Sequence, residues 1–176
     1  MIVAHLESRR LNTSLYSGVW LSEEQEVATF GMWNLSGQLV GFQQYKPLED
    51  KTRKSKPSDM RYFTIAGKGG VGSKLLAFGV ELLDTTQNNL FIVEGIFDAA
   101  PLHNRGVNAL AVMTNNPVHL KSWLNSLGYN IIALCEGDKA GRKLAKFADE
   151  AIYLPTGKDP ADMSDEWFDN IVEIYD

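Results

Sequence analysis

Three carboxylate-bearing turns define the chemistry open to this sequence. Each follows a short apolar run. Leu90 to Val93 leads into Glu94-Gly95-Ile96-Phe97-Asp98, and Ile131 to Leu134 leads into Cys135-Glu136-Gly137-Asp138. Ile152 to Leu154 leads into Pro155-Thr156-Gly157-Lys158-Asp159-Pro160-Ala161-Asp162. Runs of this length bounded by glycine or proline read as buried strands. In an open parallel sheet the loops at the carboxyl ends of the strands converge on one crevice. Carboxylates gathered there repel one another. A hard divalent cation such as Mg2+ relieves the repulsion, because it takes one or two carboxylates together with water and a substrate phosphate. Glu136 and Asp138, two apart in a strand-to-helix turn, can face one ion, and Gly95 and Gly137 let the backbone bend sharply beside them. Asp138 taken alone also suits the N-cap of a following helix. Capping does not account for Glu94 and Glu136, which precede the cap positions.

The elements that must position these acids follow from periodicity. After residue 88 strands alternate with helical segments: strands at Leu90 to Val93, Ala109 to Met113, Ile131 to Leu134 and Ile152 to Leu154. Between them Leu120, Trp123, Leu124 and Leu127 fall at helical spacing, closed by Gly128, and Ala140, Leu144, Phe147 and Ala148 repeat the pattern. Alternation of this kind implies parallel pairing with right-handed crossovers. The fold class is therefore α/β over residues 89–176, preceded by a small basic α+β subdomain over residues 1–88. That first part opens with an amphipathic helix around Ile2 to Arg9. Two β-prone runs follow, Val27 to Trp33 and Gln38 to Gln44, joined by Asn34-Leu35-Ser36-Gly37 as a hairpin with Gly37 left-handed. A basic loop, a short strand Tyr62 to Ile65, a glycine-rich turn and a helix from about Ser73 to Leu83 complete it.

A chain of 176 residues, 44% hydrophobic and 22% charged, suits one ordinary domain with a small appendage. The single cysteine, Cys135, excludes an internal disulfide and the structural zinc modules that need two cysteine ligands. Buried after a strand, it reads as a small apolar residue rather than a nucleophile. A reducing, cytoplasmic setting is expected, with no membrane partner, since no run approaches the ~18 apolar residues of a span. His5, His103 and His119 are scattered and read as surface or cap residues.

The net charge of −5 is unevenly spread. Between Lys46 and Lys74 eight basic residues stand against three acids, a local balance of +5 that leaves −10 for the remainder. The eight are Lys46, Lys51, Arg53, Lys54, Lys56, Arg61, Lys68 and Lys74, and a basic loop of this kind suits sequence-independent contacts to nucleic-acid or nucleotide phosphates. Tyr45, Tyr62 and Phe63 beside it could stack bases of a single-stranded template; such residues are more often core, and Phe63 in particular reads as core. Gly67-Lys68-Gly69-Gly70-Val71-Gly72-Ser73-Lys74 imitates a P-loop. Serine precedes lysine, the reverse of the phosphate-binding order, so ATPase activity is not expected. A looser hold on a triphosphate or template strand is.

In their order and intervals these motifs resemble the Toprim domain. They are Val93-Glu94-Gly95 with Asp98, then Glu136-Gly137-Asp138-Lys139-Ala140-Gly141-Arg142, then Gly157-Lys158-Asp159-Pro160. The likeness is strongest to bacterial replicative primases and phage primase-helicases. It extends upstream through His5-Leu6-Glu7-Ser8-Arg9-Arg10-Leu11 and Leu35 to Phe42, and through Arg61-Tyr62-Phe63, which resemble the small basic subdomain ahead of Toprim. The resemblance implies a Rossmann-like, mostly parallel sheet and a DNA primase making short RNA primers. It implies Glu94, Asp98, Glu136 and Asp138 as the catalytic set, with Glu94, Glu136, Asp138 and Asp159 holding Mg2+ or Mn2+. Its partners would be a single-stranded DNA template, nucleoside triphosphates, and a helicase or zinc-binding template reader. Two departures stand out: Glu136 occupies a place where the family usually carries aspartate, and Asp162 sits one residue beyond the usual second acid. The same site also suits a Toprim nuclease, or a nucleic-acid-binding primase homologue acting in replication with weak catalysis.

Overall fold

The computed structural model describes residues 1–51, 56, 59–66, 76–139 and 141–175. Its parallel sheet holds the acids. Strands β5 (Asn89–Val93), β6 (Ala109–Ala111), β7 (Asn130–Cys135) and β8 (Glu150–Tyr153) lie in the order β6-β5-β7-β8, every pair parallel. Helices α2 (Ile96–His103), α3 (Lys121–Ser126) and α4 (Gly141–Leu144) make the crossovers. This is the α/β, Rossmann-like architecture that the strand–helix alternation implies. Helix α5 (Asp165–Tyr175) ends the described chain.

The first part forms a second, antiparallel sheet: β1 (Val19–Ser22), β2 (Val27–Trp33), β3 (Leu39–Tyr45) and β4 (Tyr62–Ala66), in sequence order, after helix α1 (Ile2–Ser8). The β2–β3 hairpin closes as expected. Gly37 has φ +72°, and the Asn34 side chain accepts from Ser36 N–H at 3.0 Å and Gln38 N–H at 2.9 Å. An asparagine that bonds its own turn in this way is why Asn favours such corners.

Alternation along β5 and β7 splits the apolar residues between two faces of the parallel sheet. Phe91, Val93, Ile132 and Leu134 join a cluster with Ile2 and Leu6 of α1, Phe30 and Met32 of β2, and Phe168 and Ile171 of α5. Leu90, Ile92, Ile131 and Ala133 face the other way, onto Leu120, Leu124 and Leu144. The first cluster thus fills the space between the two sheets.

The expected helix from Ser73 to Leu83 is not found where the chain is described. Residues 76–83 hold only a 3-10 turn, Val80–Leu82, and Phe78 forms an antiparallel bridge with Ala111 through hydrogen bonds of 2.9 and 3.1 Å. Adjacent Ala77 and Phe78 pack into opposite clusters. An extended chain allows this, since its successive side chains point to opposite sides. No helix among the described residues is long and apolar enough to cross a membrane.

Candidate active site

The acids lie where strands β5, β7 and β8 run out. Glu94 follows β5 directly and Glu136 follows β7 directly. Asp98 sits in the first turn of α2, and Asp159 opens the 3-10 turn Pro160–Asp162 beyond β8. Two close backbone approaches hold these turns together. A Cβ on Gly137 would overlap the Leu154 carbonyl, and one on Gly141 would overlap the Glu136 carbonyl. Only glycine fits at those places, so the β7 turn is pressed against both the β8 exit and the start of α4.

Three of the five carboxylates also do local work. Asp98 Oδ2 accepts from Gly95 N–H at 3.0 Å, Asp138 Oδ1 from Gly141 N–H at 2.9 Å, and Asp159 Oδ1 from Asp162 N–H at 3.2 Å. The capping role open to Asp138 in the sequence is therefore realised. Glu94 has no such task. Its Oε1 is shielded from solvent and has no hydrogen-bond partner among the described residues.

The electrostatics show that these acids share one field. Burial, then the charges of Glu136 and Asp138, push Glu94 up to about 7. Burial and the charge of Asp159 push Asp98 up to about 7, although the Gly95 and Ala161 amides that donate to it pull the other way. Glu136 is raised by burial, Asp138 and Asp159, with Lys51 opposing. A carboxylate raised by its neighbours has lost the stabilisation of its charged form, and a cation restores it.

A cleft of about 290 Å³ opens between the two sheets over Glu94, Asp98 and Asp159, and Arg9, Lys51, Gln43 and Tyr62 line it from the first part of the chain. Arg9 is a functional candidate that sequence reasoning did not single out. Its guanidinium stands 4.3 Å from the Phe97 ring centroid and near enough to the Tyr45 and Tyr62 hydroxyls for its charge to oppose the rise that burial gives both. It is thereby held over the acidic wall. Of the basic residues read from the sequence, Lys51 is in the cleft. Arg61 instead clasps the base of the loop, its Nε donating to the Glu49 carbonyl at 2.6 Å. Lys56 is exposed and Lys46 half-buried. Arg53, Lys54, Lys68 and Lys74, with the P-loop-like turn, lie outside the described residues.

Other expectations are revised. Tyr45 is 2% exposed and belongs to the core, where His5 Nε2 meets its hydroxyl at 2.7 Å, so it offers no stacking face. Phe63, read as core, falls outside both apolar clusters, because Tyr62 takes the inward position and alternation turns Phe63 outward. His103 is buried, meeting the Tyr16 hydroxyl at 2.9 Å and the Ala109 carbonyl at 2.9 Å. Cys135 is buried as expected, its thiol pushed up to about 11 by burial and by the charge of Glu94.

The donor set is all oxygen, which suits Mg2+ or Mn2+ over softer ions. Among the described residues no three acids, cysteines or histidines are drawn together tightly enough to form a closed cage. The orphaned Glu94 oxygen and the mutually raised acids fit the looser case, in which a few carboxylates, water and phosphate share the ion.

No protein-family model and no curated protein matches the sequence. Solved structures do. The Escherichia coli primase catalytic core superposes with TM-score 0.64 at 18% identity, over 98% of this chain and 72% of that one. The primase fragment of the bacteriophage T7 primase-helicase gives 0.66 at 14%, over 97% and 72%. The RNA polymerase domain of Mycobacterium tuberculosis primase gives 0.62 at 20%, over 98% and 61%. The fold is that of primase catalytic cores, the Toprim-type architecture expected from the motifs.

Proposed function

We propose that this protein is a DNA primase-type nucleotidyltransferase that makes short RNA primers on single-stranded DNA. The observation that carries the reading is the cleft in which Glu94, Asp98 and Asp159 face Lys51 and Arg9. A polyphosphate entering it meets cations on one wall and carboxylates on the other. Likeness to primase catalytic cores across nearly the whole chain supports the same reading.

Glu94, Glu136, Asp138 and Asp159 would hold Mg2+ or Mn2+, which when bound neutralises the leaving pyrophosphate and favours the ionised 3′-hydroxyl. The chain's own residues do the rest. Lys51 and Arg9 orient the triphosphate, while Asp98 pins the start of α2 so that Glu94 keeps its place. Lys46, Arg53, Lys54, Lys56, Arg61, Lys68 and Lys74 add phosphate contacts to template and nucleotide. In this division residues 1–88 grip phosphate and residues 89–176 carry the carboxylates. Template selection and unwinding fall to a zinc-binding reader and a helicase, the latter an activity that the T7 protein joins to a primase.

The test is primer synthesis on single-stranded DNA with ribonucleoside triphosphates and Mg2+ or Mn2+. Glu94→Gln and Asp138→Asn should each lower the yield by about 100-fold or more, as loss of a charge-stabilising group in a transition state does. Unchanged yield in both variants sinks the assignment. Cutting of labelled DNA with metal but no nucleotides would reassign the site to a Toprim nuclease. DNA binding with neither reaction would leave a binding homologue.

A further inference from the structure

The inward face of the first sheet is apolar around one polar side chain. Ala28, Phe30 and Met32 of β2 and Tyr45 of β3 join the cluster between the sheets. Among them stands Gln43, paired in register with Phe30 on one side and Thr64 on the other. It is 8% exposed, one of three polar side chains buried among the described residues. The other two hold backbone: Asn108 bonds the Asp84 amide and carbonyl, and His103 the Ala109 carbonyl. Gln43 instead donates from Nε2 to the Thr64 hydroxyl at 2.8 Å and lines the acidic cleft beside Tyr62 and Lys51. An apolar pair of similar shape would join the two strands about as well, because a neutral hydrogen bond adds little net stability. A side-chain amide has two donors and an acceptor with two lone pairs, so one bond to Thr64 leaves it able to take a second partner.

The cations and carboxylates of the cleft answer to phosphate and metal, which leaves the nucleoside for this uncharged group. Copying a template admits four bases. A fixed group can serve all four only through the part they share, the sugar. A ribose 2′-hydroxyl is donor and acceptor at once, so it can meet either end of the amide. Building on the primase reading of the cleft, we propose that Gln43, steadied by Thr64, selects ribonucleotides by a hydrogen bond to the 2′-hydroxyl of the incoming nucleotide. A deoxynucleotide leaves the amide short of a partner, and a site built to bond a hydroxyl disfavours the analogue that lacks it.

Calorimetric titration of the whole chain with ATP, 2′-deoxy-ATP and 3′-deoxy-ATP, each with Mg2+, tests this without template or turnover. The unaltered protein should bind ATP about 5- to 10-fold tighter than 2′-deoxy-ATP, the effect of one hydrogen bond. Binding of 3′-deoxy-ATP should stay close to that of ATP, and the 2′ preference should recur with the other three bases. Gln43→Leu should erase the preference and Thr64→Val should narrow it. Thr64 is exposed, so its variant carries the test where Gln43→Leu folds poorly. Equal binding of ATP and 2′-deoxy-ATP, an equal loss with 3′-deoxy-ATP, a preference confined to one base, or a preference untouched by both variants overturns this inference and leaves the primase reading to its own test. Failure to bind any triphosphate overturns both.

Discussion

Replacing Glu94 with glutamine should stabilise the metal-free protein at pH 8. Burial and the charges of Glu136 and Asp138 lift the Glu94 carboxyl from 4.5 to about 7. A difference of that size corresponds to about 3.4 kcal/mol for a fully buried group. Glu94 is only partly buried, so screening by solvent cuts it to about 1–2 kcal/mol. Because the folded value lies above the unfolded one, folding is not penalised below about pH 4.5. The penalty grows as the pH rises toward 7 and is complete above it. Glutamine keeps the shape and never ionises. Urea unfolding of wild type and Glu94→Gln should therefore agree near pH 4.5 and separate by about 1–2 kcal/mol at pH 8, the variant being the more stable. Millimolar Mg2+ should stabilise the wild type at pH 8 and do less for the variant. A variant that is less stable at pH 8, or a separation that does not change with pH, would refute the repulsion on which the metal reading rests.

His103 should give the opposite pH response. Burial lowers it from 6.5 to about 4, so the unfolded chain takes up a proton first and stability falls between about pH 6.5 and pH 4. The loss is about 2–3 kcal/mol at 5% exposure, and it should vanish from the pH profile of His103→Asn. Arg10→Ala should lower stability by about 1–3 kcal/mol and weaken Mg2+ binding, read by thermal unfolding and calorimetry. It removes the bonds from Arg10 Nη2 to the Ala161 and Met163 carbonyls, at 2.6 and 2.7 Å, that hold the Asp159 turn. Gly141→Ala should cost more than about 3 kcal/mol in urea unfolding, because its Cβ meets the Glu136 backbone rather than a movable side chain. Retained stability there would show that the β7 turn can shift.

The strand ends were legible because apolar runs, glycines and acids coincide in the sequence, and the hairpin because Asn34 and Gly37 each impose a local geometry. Helix α5 does leave a signal: Phe168, Ile171, Val172 and Tyr175 fall at i, i+3, i+4 and i+7. Helix α2 left none, since most of its residues are buried and it shows no polar stripe. Strand β1 is short and carries Trp20 half exposed, so its alternation is weak. Arg9 differs from Arg10 by nothing a sequence shows. One faces Phe97 and the cleft while the other, at φ +58°, turns to the Asp159 loop, and only the packing of α1 separates them. The burial of His103 likewise depends on Tyr16, 87 residues away.

The apolar cluster between the sheets draws Ile2, Leu6 and Phe30 together with Phe168 and Ile171. During synthesis at about 5–20 residues per second, the first of these leave the ribosome on the order of ten seconds or more before the last. For that interval the nascent chain carries Ile2, Leu6 and Phe30 without the partners that cover them. The order of synthesis and the order of burial therefore run against each other. A late, cooperative collapse should follow release of α5, and chaperone engagement should be strongest on the emerging β2–β3 hairpin just before it.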